Sequence, residues 1–512
     1  MQIIIPMSGV GQRFVNAGYT TIKPLILVHG KPIIEYVIKM FDVNDQFIFV
    51  CNEDHIKHTA LKQVLLSIIP NATIVSIALH KYGPVYAVQQ AFKYITDDDP
   101  CIVNYCDFNM VWNYAHFKEH VTTSDVDGSV VCYTGFHPHL IPTQNVYAAC
   151  KVGTHSRLLS IKEKHVYEHN KLDGYYSTGT YYFKTGAILK QYTQLLLQSG
   201  NHINGEYYSS MLYDIMVHQG QYITVYGKVT HYCQWGTPQD LAEYTQWYTY
   251  NDKVREPYTP IAKLYTQQNA IILMPMAGAG SRYALQGYTM PKPLIPINDI
   301  PMYKAALQDL PSANTILITQ HKLHDTSYKI IPILTITQGQ ASTCMLAEPY
   351  INNDKALYIT ACDNGLLYDY NALLQLQYEA DVIVFTYQGS SAATANPSQY
   401  GWVQADDYNT IQAISCKKAL SPTPQNDAII TGTFWFKRGN YFVNAATRMI
   451  AANRLINNEY YVDECIADCI QMGLTVKAFA IDHYIGWGTP NELNTYLYWQ
   501  QYYLANSSFN CT

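Results

Sequence analysis

The sequence predicts an α/β fold built twice in tandem, each copy a mostly parallel sheet with helices on both faces. Three observations carry this. Apolar runs of strand length at 47–51, 73–78 and 101–105 alternate with helix-length segments at 54–66 and 84–94. That βαβ rhythm gives parallel strands joined by crossover helices. The stretch 6–32 then returns, recognisably, at 275–301. Matching stations also drift together along the chain. Met7 and Met276 are 269 apart, Asp107 and Asp363 256, Gly179 and Gly432 253, and Gly236 and Gly488 252. A slowly shrinking offset marks small loop deletions in a duplication whose core is kept.

A chain of 512 residues exceeds one ordinary domain, and the repeat sets the expected division at two halves. Domain 1 is expected at 1–256 and domain 2 at 269–512, joined by a polar linker at 257–268 that contains Pro257 and Pro260. A net charge of −6 argues against generic nucleic-acid binding. No apolar run has membrane-spanning length, and Met1 leads straight into a strand, so a soluble, cytosolic protein is expected. Twelve cysteines with no C-x-x-C pair do not make a disulfide framework. Cys465 and Cys469, four apart on a helix candidate, read as core packing rather than a zinc site.

Each copy opens with a strand-like run, Gln2 to Ile5 or Ile271 to Met274, feeding a glycine loop. The first loop reads Pro6-Met7-Ser8-Gly9-Val10-Gly11-Gln12-Arg13. The second reads Pro275-Met276-Ala277-Gly278-Ala279-Gly280-Ser281-Arg282. Residues without Cβ let successive N–H groups approach one anion, although a tight strand-to-helix turn uses glycine too. The register is G-x-G-x-R with an aromatic sixth residue, which departs from the dinucleotide fingerprint G-x-G-x-x-G. A lysine follows ten residues after each arginine, at Lys23 and Lys292. A glycine loop with two fixed cations suits a triphosphate. Pro32 and Pro301 then mark the starts of helices.

Both stretches resemble the signature G-x-G-x-R…P-K-P of the sugar nucleotidyltransferases. The second copy has it whole in Pro291-Lys292-Pro293, whereas the first has Ile22 for the leading proline. The resemblance spans nearly the whole chain and implies a Rossmann-like, GT-A-like domain in each copy. It implies joining of a nucleoside triphosphate to a sugar phosphate or similar phosphorylated small-molecule acceptor, with Mg²⁺ as cofactor. By this resemblance Arg13, Lys23, Asp107, Arg282, Lys292 and Asp363 are catalytic, and Asp107 and Asp363 bind metal. Nucleotide would be bound at Ser8, Gly9, Gly11 and Gly83, and at Ala277, Gly278, Gly280 and Gly339. The acceptor would meet Glu163, Lys164, Gly179 and Glu206, and in the second copy Lys417, Gly432 and Glu459.

Plainer readings stand beside these. Asp107 and Asp363 also fit helix N-caps. Tyr82-Gly83-Pro84 and Thr337-Gln338-Gly339, likened to the family's base-reading loop, fit ordinary turns. Glu206 and Glu459, each in an Asn-rich stretch before two tyrosines, fit the dipole of a helix opening there. Two departures from the family pattern matter. Its second metal aspartate falls on Gln234 and Gly486; Asp482 lies near the latter, but its counterpart is Thr230. Its acceptor glutamate, present as Glu163, becomes Cys416, so the second copy is expected to be weak towards a hydroxyl-rich acceptor. A metal-dependent glycosyltransferase would favour Asp-x-Asp, which Asp107-Phe108-Asn109 and Asp363-Asn364-Gly365 do not supply. A non-catalytic nucleotide-sugar binding protein, in one or both copies, is the other alternative. The base, the acceptor and any homo-oligomer are left open by the sequence.

Overall fold

The computed structural model describes residues 1–142, 144–253, 266–323, 325–390, 393 and 396–507. All but the last three residues of the expected linker at 257–268 therefore lie outside the described chain. Every residue of the first strand, Gln2–Met7, is buried. Its side chains sort by turns to opposite faces: Ile3, Ile5 and Met7 enter one apolar cluster and Ile4 another. Phe47 and Phe49 part from Ile48 and Val50 in the same way. A continuous apolar run sorted at period two is what a sheet covered on both faces requires. Helices Ile33–Ile38, Leu61–Ile68 and Tyr114–Thr123 contribute to the first cluster. Pro84–Gln90, Gly186–Ser199 and Ser209–His218 contribute to the second.

The first sheet joins a parallel half to an antiparallel half. Gln2–Met7 lies between Gln46–Asn52 and Cys101–Asn104, both parallel to it, and Thr73–Ile77 extends this part outward. Tyr175–Phe183 then runs antiparallel to Cys101–Asn104, and pairs with Gly128–Thr134 and with Ala148–Val152. Leu158–Glu163 forms a hairpin with Ala148–Val152, and Ile223–Val229 lies parallel to Gly128–Thr134. The expected βαβ rhythm is thus the half that carries the glycine loop, and the other half is mainly antiparallel, with one parallel pair at its edge. The second unit repeats the order: Lys329–Pro332, Ser312–Thr319, Thr266–Met276, Ala356–Ile359, Ala428–Phe436, Val382–Gln388, Val476–Ala480. The hairpin of Gly401–Ala405 and Ile411–Cys416 again sits on the long antiparallel strand.

Local differences from expectation have local causes. The single helix expected over 54–66 is two, Glu53–His58 and Leu61–Ile68. Thr59 breaks it, because its hydroxyl donates to His55 O (2.6 Å) and accepts from Leu61 N–H (3.2 Å), competing with the helical ladder. Glu206 and Glu459 do not open helices, which begin only at Ser209 and Val462. They close two-residue turns in which Asn204 and Gly205, or Asn457 and Asn458, all have positive φ, the conformation that Asn and Gly favour. Cys465 and Cys469 are core residues of the helix Val462–Gln471. Among the described residues no helix is long and apolar enough to cross a membrane.

The chain divides into two compact units, Thr249–Leu497 and Met1–Tyr248 with the stretch from Tyr498 onward. This departs from the expected boundaries, which gave everything after 268 to the second half. The reason is apolar burial. Tyr498, Trp499 and Tyr502 of the last helix, Pro490–Ser507, sit in the first unit's core at 5%, 4% and 1% exposure. The Tyr498 hydroxyl also accepts from Tyr232 N–H (2.8 Å) and donates to Tyr232 O. Trp499→Ala in the full chain should therefore cost the first unit about 3–5 kcal/mol. Denaturant unfolding checks this, and an unchanged midpoint would remove the helix end from that core.

Candidate active site

The glycine loop leaves the carboxyl end of the first strand, where parallel α/β sheets place their ligands. Gly11 caps the short helix Gln12–Asn16 in the left-handed region (φ +69°), and Gly280 caps Ser281–Leu285 likewise (φ +61°). A methyl group at Gly11 would stand 3.3 Å from Lys23 Cβ, and one at Gly280 3.2 Å from Lys292 Cβ. Each glycine thus serves twice, turning the chain and admitting the lysine stem. Gly9 and Gly278 face open space, so a ligand can approach the backbone there. Arg13 and Arg282 are exposed on the short helices.

Each lysine meets its aspartate. Lys23 Nζ lies 2.6 Å from Asp107 Oδ2, and Lys292 makes the same ion pair with Asp363. Burial alone would depress both lysines, but the facing aspartates overcome it and hold them above the ordinary lysine value. Both are therefore fully charged at neutral pH. Arg13 adds a second positive charge near Lys23, and Glu492 adds a negative one near Lys292. Ile22 (φ −62°, ψ 143°) has the backbone of Pro291 (φ −55°, ψ 137°), so the missing signature proline leaves the lysine's approach unchanged.

The strand after each aspartate is paired with the segment preceding the Gly-Thr-Pro station. Phe108–Val111 pairs with His231–Gln234, and Asn364–Leu367 with His483–Gly486. Asp107 O accepts from Trp235 N–H and Asp363 O from Trp487 N–H, both at 2.7 Å. Gln234 and Gly486 thus stand beside the aspartates but bring no carboxylate. In the second unit another residue does. A methyl group at Gly488 would lie 3.2 Å from Glu492 Oε2 and 3.3 Å from Asp363 Oδ2. The two carboxylates therefore face a common space. Glu492 is held there by the Tyr400 hydroxyl, which donates to Oε1 (2.8 Å). Its counterpart Asp240 turns elsewhere, accepting from Thr237 N–H (2.8 Å) with His139 3.5 Å away. Among the described residues no group of three or more His, Cys, Asp or Glu forms a ready cation site.

The loops at Gly83 and Gly339 are docked, not free turns. Tyr207 N–H donates to Tyr82 O and Tyr460 N–H to Gln338 O, both at 2.9 Å. Side chains at Gly83 or Gly339 would strike Tyr207 or Tyr460 backbone at 2.9 and 2.6 Å. One contact here escaped the sequence reading. His80 Nδ1 accepts from Tyr82 N–H (3.2 Å), so Nε2 carries the proton and donates to Ser8 Oγ (2.9 Å). Burial lowers the His80 pKa and keeps the ring neutral. The Ser8 hydroxyl thus accepts in this contact, and its own hydrogen takes no part in it. The second unit has Ala277 and Ile336 at these places and no such clamp.

The remaining stations gather behind the aspartate. Gly179 (φ +98°) bulges the long strand, and a methyl there would meet Tyr105 at 3.0 Å; Gly432 (φ +82°) repeats the bulge against Ala361. The Tyr105 hydroxyl accepts from Ser209 N–H (3.1 Å), which ties the central strand to the helix Ser209–His218. Ser210 on that helix donates to the Glu163 carboxylate. Burial raises the Glu163 pKa, against the pull of Ser210 and Lys164. Glu206 accepts from the Tyr208 hydroxyl, and Glu459 stands in the same way to Tyr461. The Arg13 charge reaches Tyr208.

A model of the nucleotidyl transferase family matches residues 2–247. Comparison with curated protein sequences gives no match. Among solved structures, the nucleoside-diphosphate-sugar pyrophosphorylase of Vibrio cholerae is similar at 19% identity, covering 48% of this chain and 99% of its own, with TM-score 0.39. A UDP-glucose pyrophosphorylase complexed with UDP-glucose is similar at 14%, covering 49% and 98%, with TM-score 0.39. The inositol-1-phosphate CTP transferase of T. maritima shows 15%, 46% and 96%, with TM-score 0.35. Each spans about half of this chain. With its glycine loop, paired lysine and aspartate, and parallel half-sheet, the first half of the chain belongs to the nucleotidyl transferase family.

Proposed function

We propose that each half joins a nucleoside triphosphate to a phosphorylated, hydroxyl-bearing small molecule of the sugar-phosphate class, releasing pyrophosphate. The observation that carries this is the lysine–aspartate pair built twice against a left-handed glycine. An acceptor phosphate oxygen attacks the α-phosphorus, and the bond to the pyrophosphate oxygen breaks. Such a transfer asks for alignment and charge neutralisation, not a covalent nucleophile. Arg13 and Arg282, with the loop amides, hold the leaving phosphates. Lys23 and Lys292 turn from their aspartates to the α-phosphate as its charge grows. Glu163, Lys164, Gly179 and Glu206 seat the acceptor in the first half, and Lys417, Gly432 and Glu459 contribute in the second.

A divalent cation such as Mg²⁺, when bound, supplies further neutralisation of phosphate charge. The donor sets fit a hard ion that takes one or two carboxylates plus phosphate oxygens. Asp107 would hold it in the first half, and Asp363 with Glu492 in the second. The eleven described cysteines are all free thiols, which suits the reducing cytoplasm.

Lys23→Ala and Lys292→Ala should each remove one half's share of acceptor-dependent pyrophosphate release. The double variant should fall about 100-fold or more. Near-normal turnover in the double variant would exclude the lysines from the reaction. Glu492→Gln should weaken Mn²⁺ binding by one site of the full chain roughly tenfold, read by electron paramagnetic resonance titration. An unchanged isotherm would leave Asp363 as the only carboxylate of that site.

A further inference from the structure

In the second half the strand-end residue before Lys417 is Cys416, where the first half has Glu163. The two strand ends are otherwise alike. Lys164 and Lys417 both have left-handed backbone, with φ +53° and +60°. Their N–H groups donate to Tyr147 O (2.9 Å) and Tyr400 O (3.0 Å). Two neighbours change along with the glutamate. Glu163 accepts from Ser210, the second residue of Ser209–His218. The second residue of the matching helix, Val462–Gln471, is Asp463, and its carboxylate accepts from the Cys416 thiol. Across the hairpin, Glu163 pairs with Ala148 and Cys416 with Gly401. A methyl group at Gly401 would stand only 2.2 Å from Asp463 Oδ2. The carboxylate fills the room an alanine would need. The three pairs 148 and 401, 163 and 416, 210 and 463 share the spacing of 253 that relates Gly179 to Gly432.

Three touching positions have thus changed together. The strand side chain has shortened, its cross-strand neighbour has lost a methyl, and the facing helix has gained a carboxylate. Simple loss of the glutamate explains only the first of these. We propose that Asp463 is the acceptor-binding carboxylate of the second half, the counterpart of Glu163 delivered from the helix instead of the strand. The second half then takes a hydroxyl-bearing phosphorylated acceptor beside Lys417, correcting the weakness expected from Cys416. A carboxylate accepts hydrogen bonds from neighbouring hydroxyls where a thiol accepts only weakly. This inference rests on the nucleotidyltransferase reading above.

Burial pushes the Asp463 carboxyl up to about 6; Lys417 opposes this, Glu464 adds to it, and the Cys416 thiol opposes it. The Tyr461 phenol faces the same group. A carboxyl raised on folding favours the fold while protonated and costs stability as pH rises through its folded value. At pH 8 Asp463 is therefore held at a cost to stability.

The test uses the full chain carrying Lys23→Ala, so that turnover reports the second half. With glucose 1-phosphate as acceptor, Asp463→Asn should raise the acceptor KM about tenfold or more while leaving the triphosphate KM nearly unchanged. With phosphocholine, which has no hydroxyl, neither should move. Asp463→Asn should also raise Tm at pH 8 and do less at pH 5. The exchange Cys416→Glu with Asp463→Ser should restore the glucose 1-phosphate KM. It should also tolerate Gly401→Ala, which lowers Tm in the parent; that comparison needs no turnover. A chain that releases pyrophosphate but ignores Asp463→Asn, or an exchange no better than Asp463→Asn alone, overturns the inference and leaves the proposed function standing. A wild-type chain with no acceptor-dependent release overturns the proposed function, and this inference with it.

Discussion

The structure of both halves turns on one ion pair, lysine to aspartate, held in place by a glycine that no other residue replaces without strain. Lys23 is mostly buried behind Gly11, and taking an ammonium group out of water is costly unless a partner meets it. Asp107 meets it at 2.6 Å. Without a ligand the pair neutralises itself, so the first unit can close its core around two charges. In the proposed reaction a triphosphate would offer the lysine a stronger partner and leave the aspartate facing the ligand. On that proposal the same contact serves stability in the empty protein and charge neutralisation in the loaded one. The rest of the site is arranged around it, with the glycine loop packed on the lysine stem and the Trp235 N–H on the aspartate carbonyl.

What positions that pair is the parallel half-sheet. The glycine loop follows the first strand directly, and the aspartate follows its neighbour Cys101–Asn104. Pairing between these two strands ends at Ile4 and Val103, although Gln2–Met7 continues alongside Gln46–Asn52 as far as Met7 and Cys51. The neighbours therefore part at their carboxyl ends, where lysine and aspartate enter. Beyond Cys101–Asn104 the antiparallel strands bring the residues proposed for the acceptor to the same end, through the Gly179 bulge and the hairpin that terminates at Glu163. One sheet gathers both groups of residues because it changes direction at the central strand.

Much of this was legible in the sequence, for physical reasons that also explain what was not. Wholly apolar runs such as Ile3–Met7 announce buried strands, and the repeated G-x-G-x-R with its following lysine announces the loop. These are local signals. The contacts missed were all between elements distant in the chain. His80 reaches Ser8 across 72 residues, and Tyr502 enters a core whose first strand lies near the other end of the chain. Glu492 becomes visible as a partner of Asp363 only because Gly488 leaves the space between them empty. The helix expected over 54–66 failed for a smaller reason, since a threonine hydroxyl outweighed the apolar period around it. The antiparallel half was missed because alternating and continuous apolar runs alike read as strands, and neither states its direction.

Comparing the halves shows what a duplication can vary at little cost. The backbones keep the same left-handed positions at the glycine loop, the acceptor lysine and the long-strand bulge. Side chains differ in touching groups. Ser8 and His80 become Ala277 and Ile336 together, so neither partner of that hydrogen bond is kept. Asp240, turned towards His139, becomes Glu492, turned towards Asp363. Glu163, Ser210 and Ala148 become Cys416, Asp463 and Gly401. In the last of these a single replacement would leave a polar group unpaired or overfill a space, whereas the joint replacement does neither. The unit that varies between the halves is therefore the contact, not the residue. A one-position comparison that finds cysteine where glutamate stood mistakes a relocated carboxylate for a lost one.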